Sequence, residues 1–324
     1  MSRRGGYIGF NRTPAGNVGG SASGVWSLTD QGQLRRANLW PGSFALLDVV
    51  TSAAAAYSLR NLFSGATTAV VRVRRSSDNT EQDFSGLQVS DGSLAAFCGA
   101  GDGFIRTWYD QSGNARNVGQ STTSLQPQIV ASGSVLTLNG KPAIDWVSGT
   151  ADKVLTSTIT TTTAVSVAAV FSAVRRASGY IKLFNLGADN TASGYALAPI
   201  TGNAEQDWAD SRTLFLANGF FAVQGSKVIS SSAHVASNVA TQNKLFTSIS
   251  SAFARMDING SEISYAVRRN NDTSVLASQT LYLGNNNVST QQFIGRMQEV
   301  VIWTTDKREN RDAVFADLNS HYGA

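Results

Sequence analysis

Short segments rich in β-branched and aromatic residues recur between turn residues throughout residues 151–324. Their length and spacing are typical of antiparallel sheets packed face to face. An Asn-Gly pair at 259–260 separates two of them and predicts a tight hairpin. The predicted strands are 165–171, 182–186, 220–224, 245–253, 255–258, 262–267, 281–283 and 293–303. The pattern predicts a mainly β protein, an antiparallel β-sandwich or jelly roll with a few short helices.

The hydrophobic period changes after the last of these strands. Val314, Phe315, Leu318 and Tyr322 fall on one face of a helix, and a D-x-x-E capping box at 306–309 precedes them. A C-terminal helix is therefore expected to close the sandwich.

Residues 43–150 form an elaborated N-terminal section. The spacing of apolar residues predicts a helix at 53–62, and composition predicts strands at 69–73 and 104–109 and a short helical turn at 93–97. An Asn-Gly pair at 139–140 predicts a second hairpin, with a return strand at 143–147. We expect residues 43–324 to form one sandwich, with 151–324 as its core section.

Residues 1–42 have the composition of an extended arm. Glycines are frequent and apolar residues few, so this segment cannot bury enough surface to fold alone. It is expected to lie against its own domain or a neighbouring subunit. The candidate docking residues are Tyr7, Phe10, Trp26, Leu28 and Trp40.

Composition excludes several classes of function. Charged residues make up 15% of the chain and the net charge is +4, without the concentrated basic stripe that nucleic-acid binding requires. The single cysteine, Cys98, permits no internal disulfide. No segment has the apolar length of a membrane helix or the pattern of a signal peptide. We expect a soluble protein made in a reducing compartment.

The C-terminal half resembles the concanavalin A-like, laminin-G-like family. The resemblance rests on Met-Asp-Ile-Asn-Gly at 256–260, Leu-Tyr-Leu-Gly at 281–284, the strand at 293–303 and the helix that ends at Gly323. The resemblance depends on the order and spacing of these segments, and it implies a concanavalin A-like sandwich.

A second resemblance covers residues 43–147. Ala-Tyr-Ser-Leu-Arg at 56–60, the arginine-rich strand at 71–79 and Thr-Trp-Tyr-Asp-Gln-Ser-Gly-Asn at 107–114 are similar to the start of the arabinofuranosidase B catalytic domain. That domain is itself a concanavalin A-like sandwich, which implies that this section belongs to the same fold.

The arm carries a third resemblance. Gly-Val-Trp-Ser-Leu at 24–28, followed by Arg-Arg-Ala-Asn-Leu-Trp-Pro at 35–41, is similar to a short module of tail-fibre and other virion proteins of tailed phages, including cyanophages. The resemblance implies a protein of a phage particle, docked through its arm.

Candidate catalytic carboxylates are few. A glycosidase needs two carboxyl groups around the scissile bond. Glu205, Asp207 and Asp210 lie close to Trp208 in one segment, a pattern that fits a sugar site but is more typical of an ordinary loop with one buried tryptophan. No other acid pair stands out, and no carboxylates of the arabinofuranosidase resemblance can be transferred. We therefore expect a protein without enzymatic activity.

Binding candidates cluster around the Trp-Tyr-Asp-Gln motif. Trp108, Tyr109, Asp110, Asn114 and Trp208 are the candidate ligand contacts, with at most one of Trp108 and Tyr109 exposed because strand neighbours face opposite ways. Asp78, Asp83 and Asp102 are oxygen-rich positions that could hold calcium or simply close turns. No other cofactor is expected.

The sequence predicts a structural component of a phage virion: a tail-fibre, capsid-surface or decoration protein. Its arm would contact other virion proteins, and its sandwich would face host glycans. It would assemble as a homo-oligomer such as a trimer. It would bind no nucleic acid and would not insert into a membrane. The alternatives are a glycoside hydrolase of arabinofuranosidase-like type and a free lectin.

Overall fold

The computed structural model describes a sandwich that begins at Ala45. The described residues are 45–64, 66–146, 153–160, 164–173, 183–186, 195–199, 220–224, 227–230, 238–250, 254–262, 266–270, 278–284 and 293–323. The arm and its five candidate docking residues lie outside them, as do Glu205, Asp207, Trp208 and Asp210.

Antiparallel strands dominate the described chain. They are β1 Ala55–Ser58, β2 Ala69–Arg75, β3 Glu81–Ser85, β4 Gly103–Trp108, β5 Val118–Gly119, β6 Gln128–Ala131, β7 Ser134–Val135, β8 Thr137–Leu138, β9 Lys141–Pro142, β10 Ile144–Asp145, β11 Leu155–Thr160, β12 Ala164–Ala173, β13 Phe184–Leu186, β14 Tyr195–Pro199, β15 Phe220–Gln224, β16 Lys227–Ser230, β17 Asn238–Ser250, β18 Ala254–Ile258, β19 Ser261–Glu262, β20 Ala266–Asn270, β21 Ser278–Leu283 and β22 Gly295–Trp303. The helices are α1 Leu46–Val49, α2 Gly86–Ser90, α3 Ser93–Cys98 and α4 Arg311–Tyr322, with 3₁₀ turns at Thr123–Leu125 and Arg308–Asn310. The predicted mainly β, antiparallel fold is confirmed.

Two layers of strands face each other. In the first layer β22 lies between β1 and β12, and β17 and β18 continue beyond β12. In the second layer β3, β2, β4, β5, β11, β21, β13 and β14 are neighbours in that order. β6 connects the layers, because it pairs with β4 and with β10, which in turn pairs with β22.

The first layer is buried on both faces. Along β12, Val167, Ala169 and Phe171 point into the main core between the layers, while Ala168 and Val170 join a second core under α4. β22 alternates in the same way, with Ile302 in the main core and Trp303 in the second. The sequences of β12 and β22 are therefore nearly continuous apolar runs.

α4 covers the outer face of the first layer. The predicted face of Val314, Phe315, Leu318 and Tyr322 is buried against it. The helix begins later than the capping box predicted: Asp306 Oδ1 instead accepts from Arg308 N at 3.0 Å, and Asn310 at the helix start makes no side-chain cap. None of the helices in the described ranges is long and apolar enough to cross a membrane.

The predicted helix at 53–62 is wrong. Residues 55–58 form β1, which pairs with the C-terminal part of β22 in the register Ala55↔Ile302 to Ser58↔Glu299. All four side chains are buried. Both Asn-Gly hairpins are confirmed: Asn139, Gly140, Asn259 and Gly260 have positive φ angles of 50°, 71°, 50° and 84°, as a type I′ turn requires.

Candidate functional site

The loop after β4 is held in place by one carboxylate. Asp110 Oδ1 accepts from the backbone N–H groups of Ala56 at 2.8 Å and Ser112 at 2.9 Å. Its Oδ2 accepts from Ser112 Oγ at 2.8 Å and from Arg116 N at 2.9 Å. Four donors thus occupy the lone pairs of a carboxylate, which fixes the loop against β1.

Gln111 extends this connection towards the segment after β1. Its Oε1 accepts from Leu62 N at 2.8 Å, and its Nε2 donates to the carbonyl groups of Ser58 and Arg60 at 3.2 and 2.9 Å. Asn114 Nδ2 donates to the carbonyl of Ala53 at 3.0 Å. The Asp-Gln-Ser-Gly-Asn sequence therefore ties two distant segments together by side-chain bonds to backbone.

Trp108 and Tyr109 face opposite ways, as their alternation on a strand requires. Trp108 has no exposed surface and packs on Tyr57 with ring centroids 5.9 Å apart. It therefore fills the core and offers no face to a ligand, which corrects its assignment as a ligand contact. Tyr109 is only partly buried and lies at the mouth of a cavity.

A chain of polar contacts fixes the phenol of Tyr109. Its hydroxyl donates to Asp83 Oδ1 at 2.7 Å, and Asp83 accepts two bonds of 2.8 Å from the guanidinium of Arg72. Hydrogen bonding to Arg72 lowers the pKa of Asp83. Burial, together with the adjacent carboxylate, raises the pKa of Tyr109 to about 12, so the phenol keeps its proton at neutral pH.

The cavity beside Tyr109 has a volume of about 390 Å³. Phe63, with 40% of its surface exposed, supplies a second aromatic side chain. Thr68, Asp110, Gln111 and Asn117 supply the polar part of the wall. The remaining described wall residues are small: Ala66, Ala69, Gly113 and Ala115. An aromatic wall with a few fixed polar groups is the composition of a site for a small, hydroxyl-rich ligand.

The cavity brings together only part of the predicted ligand set. Tyr109 and Asp110 line it, whereas Trp108 is in the core and Asn114 is engaged with the backbone of residues 53–54. Three wall residues were not predicted: Phe63, Thr68 and Asn117. They lie in loops that come close to one another only when β1 and β4 have taken their places in the fold. In the sequence, only the Asp-Gln-Ser-Gly-Asn turn indicated the location of this cavity.

The three candidate calcium ligands serve separate contacts. Asp78 pairs with Arg75, its carboxylate oxygen lying 2.6 Å from Nη2. Asp83 pairs with Arg72, and Asp102 Oδ1 accepts from Ser132 N at 2.8 Å. Within the described ranges, no three acidic, cysteine or histidine side chains form a group that could hold a metal ion.

A buried charge cluster lies under α4, and none of its members is among the described wall residues of the cavity. Glu299, with no exposed side-chain surface, accepts at Oε2 from Ser58 Oγ and Arg60 Nε, both at 2.8 Å, and from Tyr322 at 3.0 Å. Arg60 also pairs with Asp317 on α4. Burial raises the pKa of Asp317, against the opposing effect of Arg60. Since the contacts of Arg60 join β22 to α4, the cluster fastens the helix.

Comparison with solved structures relates this fold to known proteins. An arabinofuranosidase complexed with arabinofuranosyl-α-1,2-xylobiose aligns with a TM-score of 0.51 and 16% identity, over 84% of this chain and 63% of the other. A mutant GH54 α-L-arabinofuranosidase soaked with 4-nitrophenyl α-L-arabinofuranoside aligns with a TM-score of 0.51 and 15% identity over the same shares. This chain thus spans about two thirds or less of those proteins. No protein-family model and no curated protein sequence matches the chain.

These similarities correct the expectation that the chain is not an enzyme. That expectation relied on the lack of a recognisable acid pair, yet both of these solved structures, which share the fold, are of arabinofuranosidases. At 15–16% identity the similarity establishes the fold, and activity has to be argued from sites. The described part of this chain is a β-sandwich of the arabinofuranosidase type of architecture, with a cavity suited to a small polar ligand.

Proposed function

We propose that this protein is a carbohydrate-binding β-sandwich whose sugar site is the cavity lined by Phe63 and Tyr109. The observation that carries the proposal is the combination of two partly exposed aromatic side chains with polar groups fixed by the fold. Sugars bind aromatic faces through their C–H groups and bind fixed polar groups through their hydroxyls. The carbohydrate ligands in the arabinofuranosidase structures of the same fold give the proposal further support.

Calorimetric titration of the full chain with L-arabinose, D-xylose and D-galactose tests the site. Tyr109→Ala and Phe63→Ala should each weaken binding by about tenfold, since an aromatic contact contributes on the order of 1 kcal/mol. Leu87→Ala is the control, because this side chain is 69% exposed and is not among the described wall residues. Unchanged affinity in both aromatic variants would exclude the cavity as the sugar site.

We propose glycoside hydrolysis of arabinofuranosidase-like type as the second function. Its support is the fold shared with arabinofuranosidases over 84% of the chain. The sequence candidates for the catalytic carboxylates remain Glu205, Asp207 and Asp210.

The hydrolase proposal is tested with 4-nitrophenyl α-L-arabinofuranoside and with arabinoxylan. Release of nitrophenolate or reducing sugar should be lost in Glu205→Gln and kept in Glu81→Gln. Glu81 is a matched control, because it is a surface glutamate paired with Arg106 at 3.4 Å, its side chain 35% exposed. Equal activity of the two variants would remove Glu205 from the mechanism.

We also propose that the protein is a structural component of a phage particle, made in the host cytoplasm and anchored through residues 1–42 as part of a homo-oligomer. The arm module at 24–41 supports this setting. Deleting residues 1–42 should abolish incorporation into particles while the sandwich still folds, as followed by particle purification and circular dichroism. Normal incorporation of the truncated chain would refute the anchoring role.

A further inference from the structure

We propose that the cavity selects uncharged sugars and discriminates against sugars that carry a carboxylate, such as uronic and sialic acids. The inference rests on the proposed sugar site and specifies its ligand class. It follows from two properties of the wall: its charge and the direction of its hydrogen bonds.

The charge of the wall is negative. Asp110 contributes a carboxylate, and none of the described wall residues carries a positive charge. The cations nearby are engaged elsewhere: Arg72 pairs with Asp83, and Arg116 donates from Nη1 to the carbonyl of Ala54 at 2.7 Å. Because Arg116 does not line the cavity and Asp110 does, the repulsion of a bound anion by Asp110 outweighs its attraction to Arg116.

The hydrogen-bond direction at Tyr109 also disfavours an anion. Tyr109 uses its O–H on Asp83, so it offers a ligand only an acceptor. Asn117 accepts from Asp110 N at 2.9 Å through Oδ1, so its amide group offers a ligand donors. A sugar hydroxyl both donates and accepts and can satisfy either partner. A carboxylate can only accept: it can bond to the amide of Asn117, but beside Tyr109 it would place a second acceptor against the phenol oxygen.

The test compares D-galactose with D-galacturonate, which differ only at carbon 6. L-Arabinose, whose pyranose ring has the same hydroxyl configuration without that carbon, is the third ligand. In calorimetry at pH 7 and low salt, the two neutral sugars should bind about tenfold more tightly than galacturonate. The ratio should shrink in 0.5 M salt, because ions screen the repulsion. Equal or tighter binding of galacturonate overturns the proposal.

A pair of variants separates the charge of the wall from the net charge of the protein. Thr68→Lys places a cation at the wall and should reduce or reverse the discrimination, whereas Leu87→Lys adds the same charge at an exposed position that is not among the described wall residues and should keep it. If both variants keep the full discrimination, wall charge is not its source and the proposal fails. If none of the three sugars binds the native protein, the sugar site itself is refuted. That result is distinct from binding without selectivity.

Discussion

Arg60 neutralises two buried carboxylates at once. Its guanidinium, with 13% of the side chain exposed, meets Glu299, which is fully buried, and Asp317, which is 11% exposed. A buried pair contributes little net stability relative to an apolar replacement, but removing one partner leaves the other charge without compensation. Arg60 is therefore the side chain of this cluster whose loss should matter most.

Arg60→Met should lower the free energy of unfolding by about 3–5 kcal/mol, because the long apolar side chain keeps the packing and leaves two buried carboxylates unpaired. Urea denaturation measures this. Arg72→Met is the matched control: the Arg72–Asp83 pair is about two-fifths exposed, so about 1 kcal/mol or less should be lost. Similar losses in the two variants would show that the Arg60 cluster is solvated.

His321 should give the protein a pH-dependent stability. Burial, aided by the nearby Arg60, lowers the pKa of His321 from 6.5 to about 4. Between these values the unfolded chain binds the proton more readily than the folded chain, so stability falls as pH falls from 6.5 to 4. The unfolding free energy of the native protein minus that of His321→Gln should therefore become smaller as pH falls over this range. A difference that stays constant between pH 7 and pH 4 would contradict the assignment.

The Trp-Tyr-Asp-Gln-Ser-Gly-Asn sequence predicts a binding loop, and the structure places Tyr109 and Asp110 at the cavity but Trp108 in the core. The alternation of Trp108 and Tyr109 is a local property and could be anticipated. The role of Asp110 could not, because its partner Ala56 N lies 54 residues away. Asx turns and ligand sites use the same residue types, and only the fold reveals which partners the oxygens meet.

β1 illustrates how tertiary pairing overrides propensity. The alanine-rich segment at 53–62 has the composition of a helix, yet Ala55 to Ser58 pair with β22 and are fully buried. Ala55, Ala56 and Ser58 are small and Tyr57 is buried in the main core, and the pairing and burial that β1 gains beside β22 exceed the few tenths of a kcal/mol per residue that helix propensity offers. The Asn-Gly hairpins were predictable because a two-residue turn depends only on its own residues.

Gly284, at the end of β21, marks a close approach that depends on glycine. Its φ is +92°, and a Cβ there would lie 2.1 Å from Trp146 Nε1 and 3.0 Å from the Lys153 carbonyl oxygen. Gly284→Ala should therefore destabilise the protein by about 2–5 kcal/mol, from backbone strain plus overpacking. Gly140→Ala, with φ +71° and nothing within 4 Å, isolates the backbone strain and should cost about 1 kcal/mol. Thermal melts of both variants test this. Equal decreases in melting temperature would contradict a steric clash between the added Cβ and Trp146.

The described residues form two apolar cores that share one layer. The main core lies between the layers, and the second lies between the first layer and the helices α1 and α4. Phe246, Val301 and Trp303 line that second core beneath α4. The helix is thus a structural lid on the sheet, and the sequence anticipated it from its buried face.

Removing residues 311–324 should therefore expose a large apolar surface. The truncated chain should bind the dye ANS and lose its cooperative thermal transition, because α4 contributes Val314, Phe315, Leu318 and Tyr322 to the second core and, among the described residues, only α1 and the residues beside it would remain as its cover. Near-ultraviolet circular dichroism and dye fluorescence measure the change. A truncated chain that melts as the full chain does would show that α4 is dispensable.

The bonds that Gln111 and Glu299 make to β1 and the residues after it also affect when the cavity wall takes its final position. Ser58, whose carbonyl accepts from Gln111, bonds through its hydroxyl to Glu299, 241 residues further along the chain. Contacts of such separation form late, since a long loop must close first. On the ribosome, residues 109–117 emerge well before β22, so β1 lacks this partner strand until residues 295–303 have emerged. If the cavity is the sugar site, a nascent chain should acquire sugar binding only after β22 has emerged, and translation products that end before β22 should lack it.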